Sequence, residues 1–343
     1  MARGVRHLGA AALGVLLVLG AFAGCGPEAE EPGGQDTTAR PTGVIRTSEP
    51  PRSTEPPTGV DVAEAAASGI EGSSIRAHLA HLTGASPAPL DGGTVTIAER
   101  GSAEGRRAAA EYMKESFERV GVPARILEFD LDGGRGYNVE ATLRGTEGGK
   151  HLWVSAHLDS TYNPGANDNA SGLVSILLIA EAMEQIRPAH TIHFVAYDLE
   201  EVGAIGSSRY VESVVGDILE REGESAIIGN LNNDMVGYDD GGSEAAVGTC
   251  NQAGPIDDAL VRASEVVDSP IELNDVCLGR SDHQNFWDAG LPAAVLTDGS
   301  MYDGYPWYHE PGDTVDKLDI SYLREMIQLG TAATALLAAP EDH

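Results

Sequence analysis

Basic residues are scarce in this chain: 22 lysines and arginines stand against 53 aspartates and glutamates, a formal net charge of −31. Such a balance leaves no basic patch to hold a phosphate backbone, which argues against nucleic acid as a partner. Most of the acidity is read simply as solubility. Cysteine is rarer still, with three residues at 25, 250 and 277. If Cys25 is lipidated, Cys250 and Cys277 remain as an even pair, and a disulfide or two buried thiols are equally open. No internal repeat and no second apolar core are visible, so the 343 residues hold one folded domain.

What is present begins with a targeting device. Arg3 and Arg6 precede an apolar run at 8–23, and Phe22-Ala23-Gly24-Cys25 resembles a lipobox, with Phe22 where Leu is usual. The expectation is a signal peptide at 1–24, cleaved before a lipidated Cys25; an uncleaved anchor helix is the open alternative. Residues 25–59 are rich in Pro, Thr, Glu and Gly without an apolar period, and are read as a tether with a span of roughly 30 Å. The domain at 60–343 is therefore expected outside the cytoplasm, lipid-anchored or alternatively secreted, touching membrane only through Cys25.

Within that domain the periodicity alternates between strand and helix. Helices are expected at 74–83 (Ile75, Leu79, Leu82) and 101–121, where Ser102 caps a stripe of Ala109, Met113, Phe117 and Val120. Strands at 125–129 and 137–143 flank the turn-rich DLDGGRG and suggest a hairpin at a sheet edge. Strand 152–156, helix 172–186 and strand 191–197 read as a βαβ unit with parallel strands. Further strands are expected at 226–231, 245–248 and 293–297, and helices at 206–215, 255–267, 282–289 and 320–338. This is an α/β class, in which sites lie beyond the carboxyl ends of the strands. There stand His157, Asp159 and Asp168 after one strand, Glu200 and Glu201 after the next, and Asp234 after a third.

With His309 from an aromatic loop, His157, Asp168, Glu201 and Asp234 form a set of nitrogen and oxygen donors suited to zinc, with cobalt or manganese possible. If Asp168 bridges, each of two ions has three protein ligands and an open position, which marks a catalytic site. Two such ions can share a water and polarise the carbonyl it attacks.

Composition alone would not select these five from 53 acids and 10 histidines. The motifs do: HLDS at 157, GANDNASG at 165, EEVGAIGS at 200, NNDMVGY at 232, GRSDHQNF at 279 and YHEPGDT at 308. From about Ser74 to the end, the chain resembles the two-zinc aminopeptidases of metallopeptidase family twenty-eight, secreted bacterial leucine-type enzymes. The resemblance implies a three-layer α/β sandwich with a mixed, mostly parallel central sheet and helices on both faces. It also implies two zinc ions: His157 and Asp234 would hold one, Glu201 and His309 the other, and Asp168 both. Glu200 would be the general base. Asp159 would accept the free N–H of His157, Tyr308 would donate to the developing oxyanion, and Arg280 is a candidate to receive a peptide carboxylate. Relatives hold the bond after the bridging aspartate cis, so Asp168-Asn169 is expected cis. His190, His193, His283 and Asp282 are read as structural, and Asn169-Ala170-Ser171 as the turn at the bridging ligand. Asp198 has no assigned role. The chain departs from the pattern at Ala204-Ile205, and Trp307 and Gly312 stand where some relatives carry cysteines.

The expected function is zinc-dependent removal of apolar amino-terminal residues from peptides. A carboxypeptidase or dipeptidase of the same family is the nearest alternative. A glutaminyl-cyclase-like acyltransferase, whose relatives use one zinc, or a lipoprotein that captures peptides or metal stands further off. A poised, unligated Glu200 argues for hydrolysis over capture. Oligomeric state is not legible.

Overall fold

Thr58 and Asp61 open the first element by satisfying each other's backbone: the Asp61 amide donates to the Thr58 hydroxyl, and the Thr58 amide to the Asp61 carboxylate. This box starts α1 (Gly59–Ser68), a helix at the start of the expected domain, where no element is expected from the sequence. The computed structural model describes residues 58–147 and 149–339; the expected signal peptide and all but the last two residues of the expected tether lie outside them.

Helix α2 (Gly72–Leu82) follows, then a small antiparallel ribbon, β1 (Ala88–Leu90) with β2 (Gly93–Val95). Ser102 caps α3 (Ala103–Arg119), its hydroxyl accepting the Gly105 amide at 3.0 Å. β3 (Ala124–Leu131) and β4 (Gly134–Leu143) make the expected antiparallel hairpin at one edge of the main sheet. β5 (His151–His157), α4 (Gly172–Ile186) and β6 (Thr191–Tyr197) form the βαβ unit, its strands parallel. The helix expected at 206–215 begins as α5 (Ile205–Tyr210), widens by one turn and runs on as α6 (Gly216–Glu222). Then come β7 (Ile227–Asn233), β8 (Glu244–Gly248), α7 (Pro255–Val266), β9 (Glu272–Val276), α8 (His283–Asp288), β10 (Ala293–Asp298) and α9 (Ile320–Ala338).

The main sheet has eight strands in the order β3-β4-β6-β5-β7-β10-β8-β9. Pairings are parallel from β6 through β5 and β7 to β10 and again between β8 and β9, and antiparallel elsewhere. Alternation along the strands feeds two cores. Leu152, Val154 and Ala156 of β5 with Ile192 and Phe194 of β6 face a core closed by α3, α4 and α9. Trp153, Val195 and Tyr197 face the other side, under Tyr210, Ile218 and Phe286 from α5, α6 and α8. Helix α4 is apolar on nearly every side because α9 covers its outer surface. Each large aliphatic side chain buried there contributes about 1.5–3 kcal/mol. Among the described residues no helix is long and apolar enough to cross a membrane.

Candidate metal centre

The parallel strands end together, and each end delivers part of the cluster. His157 closes β5, Glu200 and Glu201 follow β6, and Asp234 follows β7. Asp168 precedes α4 by a short turn, which Gly172 allows to press against β7: a Cβ there would lie 2.3 Å from the Asn233 carbonyl. His309 arrives from the loop after β10.

Asp168 sits between two imidazoles. His157 Nε2 is 3.1 Å from Asp168 Oδ1 and 3.3 Å from Asp234 Oδ1. His309 Nε2 is 3.3 Å from Asp168 Oδ2 and 2.9 Å from Glu201 Oε2. The five side chains thus form two triads, His157/Asp168/Asp234 and His309/Asp168/Glu201, sharing one carboxylate. Asp168 Oδ2, Glu201 Oε1 and Asp234 Oδ1 are buried without a hydrogen-bond partner. Buried carboxylate oxygens are normally satisfied, so the set fits a divalent cation bound by hard oxygen and imidazole donors, and His157, Asp168 and Glu201 lie close enough together to share one.

The electrostatics agree with that fit. Burial opposes charge on His157, yet Asp234 and its other carboxylate neighbours outweigh it and hold the imidazole well above its usual range. The adjacent carboxylates of Asp168 and Glu201 push His309 up to about 10. Burial, with Asp168 nearby, raises Glu201 to about 7, and burial lifts Glu200 well above the usual carboxylate range. The cluster draws positive charge from whatever can supply it.

Two aspartates hold this arrangement by the backbone. Asp159 accepts the Glu200 amide at 2.9 Å and the Glu201 amide at 3.2 Å, one on each oxygen. Asp313 does the same for the Asn167 and Asp168 amides, at 2.8 and 3.0 Å, and also accepts the Tyr305 hydroxyl. Asp159 was expected to receive the His157 N–H. It lies beside it, but at 3.6 Å, beyond hydrogen-bond length, because both oxygens turn toward the amides.

The Asp168-Asn169 bond is cis, as expected. Asn169 is buried and builds the turn, its side chain accepting from Gly172 and Met235 and donating to the Asn233 carbonyl. Tyr308 is half-buried and stacks on His309, ring centroids 3.8 Å apart; Tyr302 is buried beside it. Arg280 is exposed, paired with Asp303 at 3.0 Å, with its guanidinium 5.6 Å from the Tyr302 ring. Cys250 and Cys277 are joined as a disulfide, which decides between the two open readings. His283 is buried with Nε2 against the Leu278 carbonyl, His193 lies in a separate network, and buried Asp282 accepts the Ser207 hydroxyl. Asp198, unassigned from sequence, pairs with Arg106 at 3.1 Å and accepts the Tyr137 amide, bracing the segment before Glu200. Asp313 was missed, although it lies in YHEPGDT; an acid so close to a candidate ligand was the available signal.

The model of Peptidase family M28 matches residues 138–334. The chain belongs to that family. The aminopeptidase YwaD of Bacillus subtilis (strain 168) is 33% identical over 189 residues, 53% of this chain and 40% of the relative, so the chain spans less than half of that relative's length. A solved zinc aminopeptidase from Bacillus subtilis superimposes with a TM-score of 0.69 at 18% identity, covering 80% of this chain and 97% of that one. A glutaminyl cyclase from Fimbriiglobus ruber gives 0.63 at 18% identity, covering 78% and 96%. These two likenesses establish the fold, the expected three-layer α/β architecture.

Proposed function

We propose that the protein is a two-zinc aminopeptidase that removes apolar amino-terminal residues from peptides. The observation that carries this reading is Asp168 between two imidazole–carboxylate triads, with buried oxygens left unpartnered. His157 and Asp234 would hold one ion, Glu201 and His309 the other, and Asp168 both. When bound, zinc supplies Lewis acidity toward the scissile carbonyl and lowers the pKa of water.

The chain's own groups do the rest. Glu200, next to the metal-holding Glu201 but not itself assigned to an ion, takes the proton of the attacking water and passes it to the leaving amine. Asp159 fixes the Glu200 and Glu201 backbone, so that the neighbouring side chains diverge to separate tasks. The Tyr308 hydroxyl donates to the oxygen that gains charge.

Recognition of the amino end is supported by the cations around the centre, which are already engaged. Arg106 is held by Asp198, Arg280 by Asp303 and Lys317 by Asp316, so none of these three stands ready for a peptide carboxylate. Apolar preference is supported by the aromatic cluster of Tyr302 and Tyr305 with Trp307 and Tyr308, and by the exposed Tyr162, Val202 and Met301 on the loops that carry the site. Export and lipid anchoring at Cys25 belong to the same proposal, and a disulfide suits an oxidising compartment.

The test is a peptide panel with free and blocked amino ends and varied carboxyl ends, assayed with and without a chelator beside metal analysis. Cleavage should require a free amino end and two ions per chain. Equal cleavage of amino-blocked peptides would overturn the aminopeptidase reading, and full activity with one ion or none would overturn the two-metal reading.

A further inference from the structure

Arg100 is fully buried, and its guanidinium gives all its side-chain hydrogen bonds to backbone carbonyls. Nε donates to Leu158 at 2.8 Å, Nη1 to Leu82 and Pro164 at 2.8 Å each, and Nη2 to Gly165 at 2.9 Å. Its main chain adds two bonds with Ser160, the Arg100 amide donating to Oγ at 3.0 Å and the Ser160 amide donating back at 3.3 Å. All of these except the one to Leu82 fall on residues 158–165, the stretch that carries Asp159 and runs directly into Asn167 and Asp168. The stretch is shaped to the guanidinium: Gly165 has φ +58°, and a Cβ there would meet Nη2 at 2.7 Å.

A buried charge held by dipoles rather than by an ion pair is costly to keep. A neutral side chain could not reproduce it, because only the planar fork reaches four carbonyls at once. Asp313, Asp168, Asp159 and Glu201 act on this charge from beyond contact distance. The residue is therefore tied mechanically and electrically to the acidic cluster without being part of it.

We propose that Arg100 is a positioning residue for the metal centre: by clamping residues 158–165 it sets where Asp159 and Asp168 stand, and through Asp159 the Glu200–Glu201 pair. This rests on the reading of the cluster as a two-zinc site. The role makes a prediction opposite in sign to a plain field effect. A cation repels a cation, so removing the charge would by field alone raise zinc affinity, whereas losing the clamp lowers it.

The experiment measures zinc affinity of the purified full chain by competition with a chromophoric chelator, alongside thermal unfolding with zinc and with excess chelator. Arg100→Gln and Arg100→Lys should each weaken zinc binding by about 10- to 100-fold, the range for lost support of metal ligands, and shrink the rise in Tm that zinc produces. Ser160→Ala, which loosens the same stretch without touching a buried charge, should give a smaller weakening and covers the case in which the Arg100 variants do not fold. Folded Arg100 variants with unchanged or raised affinity, losing equal Tm with and without zinc, would overturn the proposal, as would an unchanged affinity in Ser160→Ala. A wild-type chain that binds no zinc would instead overturn the reading of the site itself.

Discussion

Two groups of buried carboxylates and imidazoles occupy opposite ends of the same strands, and they differ in what is left over. At the amino end of β5 and β6, His151 and His193 share a hydrogen bond at 2.9 Å, and His193 is 2.9 Å from Glu140. Glu140 also accepts the Tyr210 hydroxyl and the Arg125 guanidinium, and His151 reaches Glu222 at 3.2 Å. Both oxygens of Glu140 have partners. At the carboxyl end, one oxygen each of Asp168, Glu201, Asp234 and Asp282 has none. A groove of about 1110 Å³ lies at the satisfied network. Unmet hydrogen-bonding capacity is what distinguishes the other end. The Glu140 network, in which the groups satisfy each other, holds the fold; the set around Asp168 keeps acceptor capacity that a bound cation would fill.

The largest effect should come from separating two neighbours within the unsatisfied group. Glu200→Gln should keep both ions and lose kcat by about 10² to 10⁴, with KM close to normal. Glu201→Ala should lower zinc content and, with it, activity. Metal analysis beside steady-state kinetics reads both. If Glu200→Gln empties a site while Glu201→Ala retains two ions, the assignment of the pair is reversed.

The satisfied network should answer in stability instead. Burial works to raise Glu140, but bonds from His193, Tyr210 and Arg125 prevail and hold it at about 2. A depressed folded pKa gives stability that is complete above the unfolded value near 4.5 and is lost as pH falls toward 2. The shift corresponds to about 3 kcal/mol. Glu140→Gln should therefore cost about that much at pH 7, with the gap from wild type closing only below about pH 4.5, while kcat is unchanged. Urea unfolding across pH tests it. A loss of kcat at full stability would join the two networks and end the distinction.

How far each region was legible follows from the same contrast. Helix α4 and strand β6 were read with their observed bounds because Gly172 and the apolar runs mark them without competition. Edge strand β9, Glu272–Val276, has no apolar alternation to announce it, and α1, which directly follows the expected tether, buries only alanines and shows no stripe of large apolar residues. Which ligand-type side chains meet was visible only through the ordered motifs, since they come from three strand ends, the turn before α4 and a late loop. Asp159 was legible as a support but its partners were not, and Asp313 and Arg100 were not visible at all. Asp159, Asp313 and Arg100 work on backbone amides and carbonyls, and no side-chain pattern reports which amide a carboxylate will reach. Asp198 stood beside the paired glutamates in sequence, yet its partner Arg106 lies in α3, far earlier in the chain.

The smallest expected effect tests the rule beside the centre itself, where a satisfied group and the unsatisfied set are closest. Arg280 lies in GRSDH, and the resemblance makes it a candidate to receive a peptide carboxylate. Its guanidinium is already paired with Asp303, and that bond is the main cause holding its pKa above the usual value. The pair is exposed, so it contributes little to stability, about 0–1 kcal/mol. To bind a substrate carboxylate, Arg280 would first have to leave Asp303, which reduces what it could contribute. Arg280→Gln should therefore change kcat/KM by less than about threefold, well under the factor of ten that 1.4 kcal/mol represents, and equally for peptides with free and amidated carboxyl ends. A loss of tenfold or more confined to free carboxyl ends would show that Asp303 yields to substrate, and would move the specificity from the amino to the carboxyl end of the peptide.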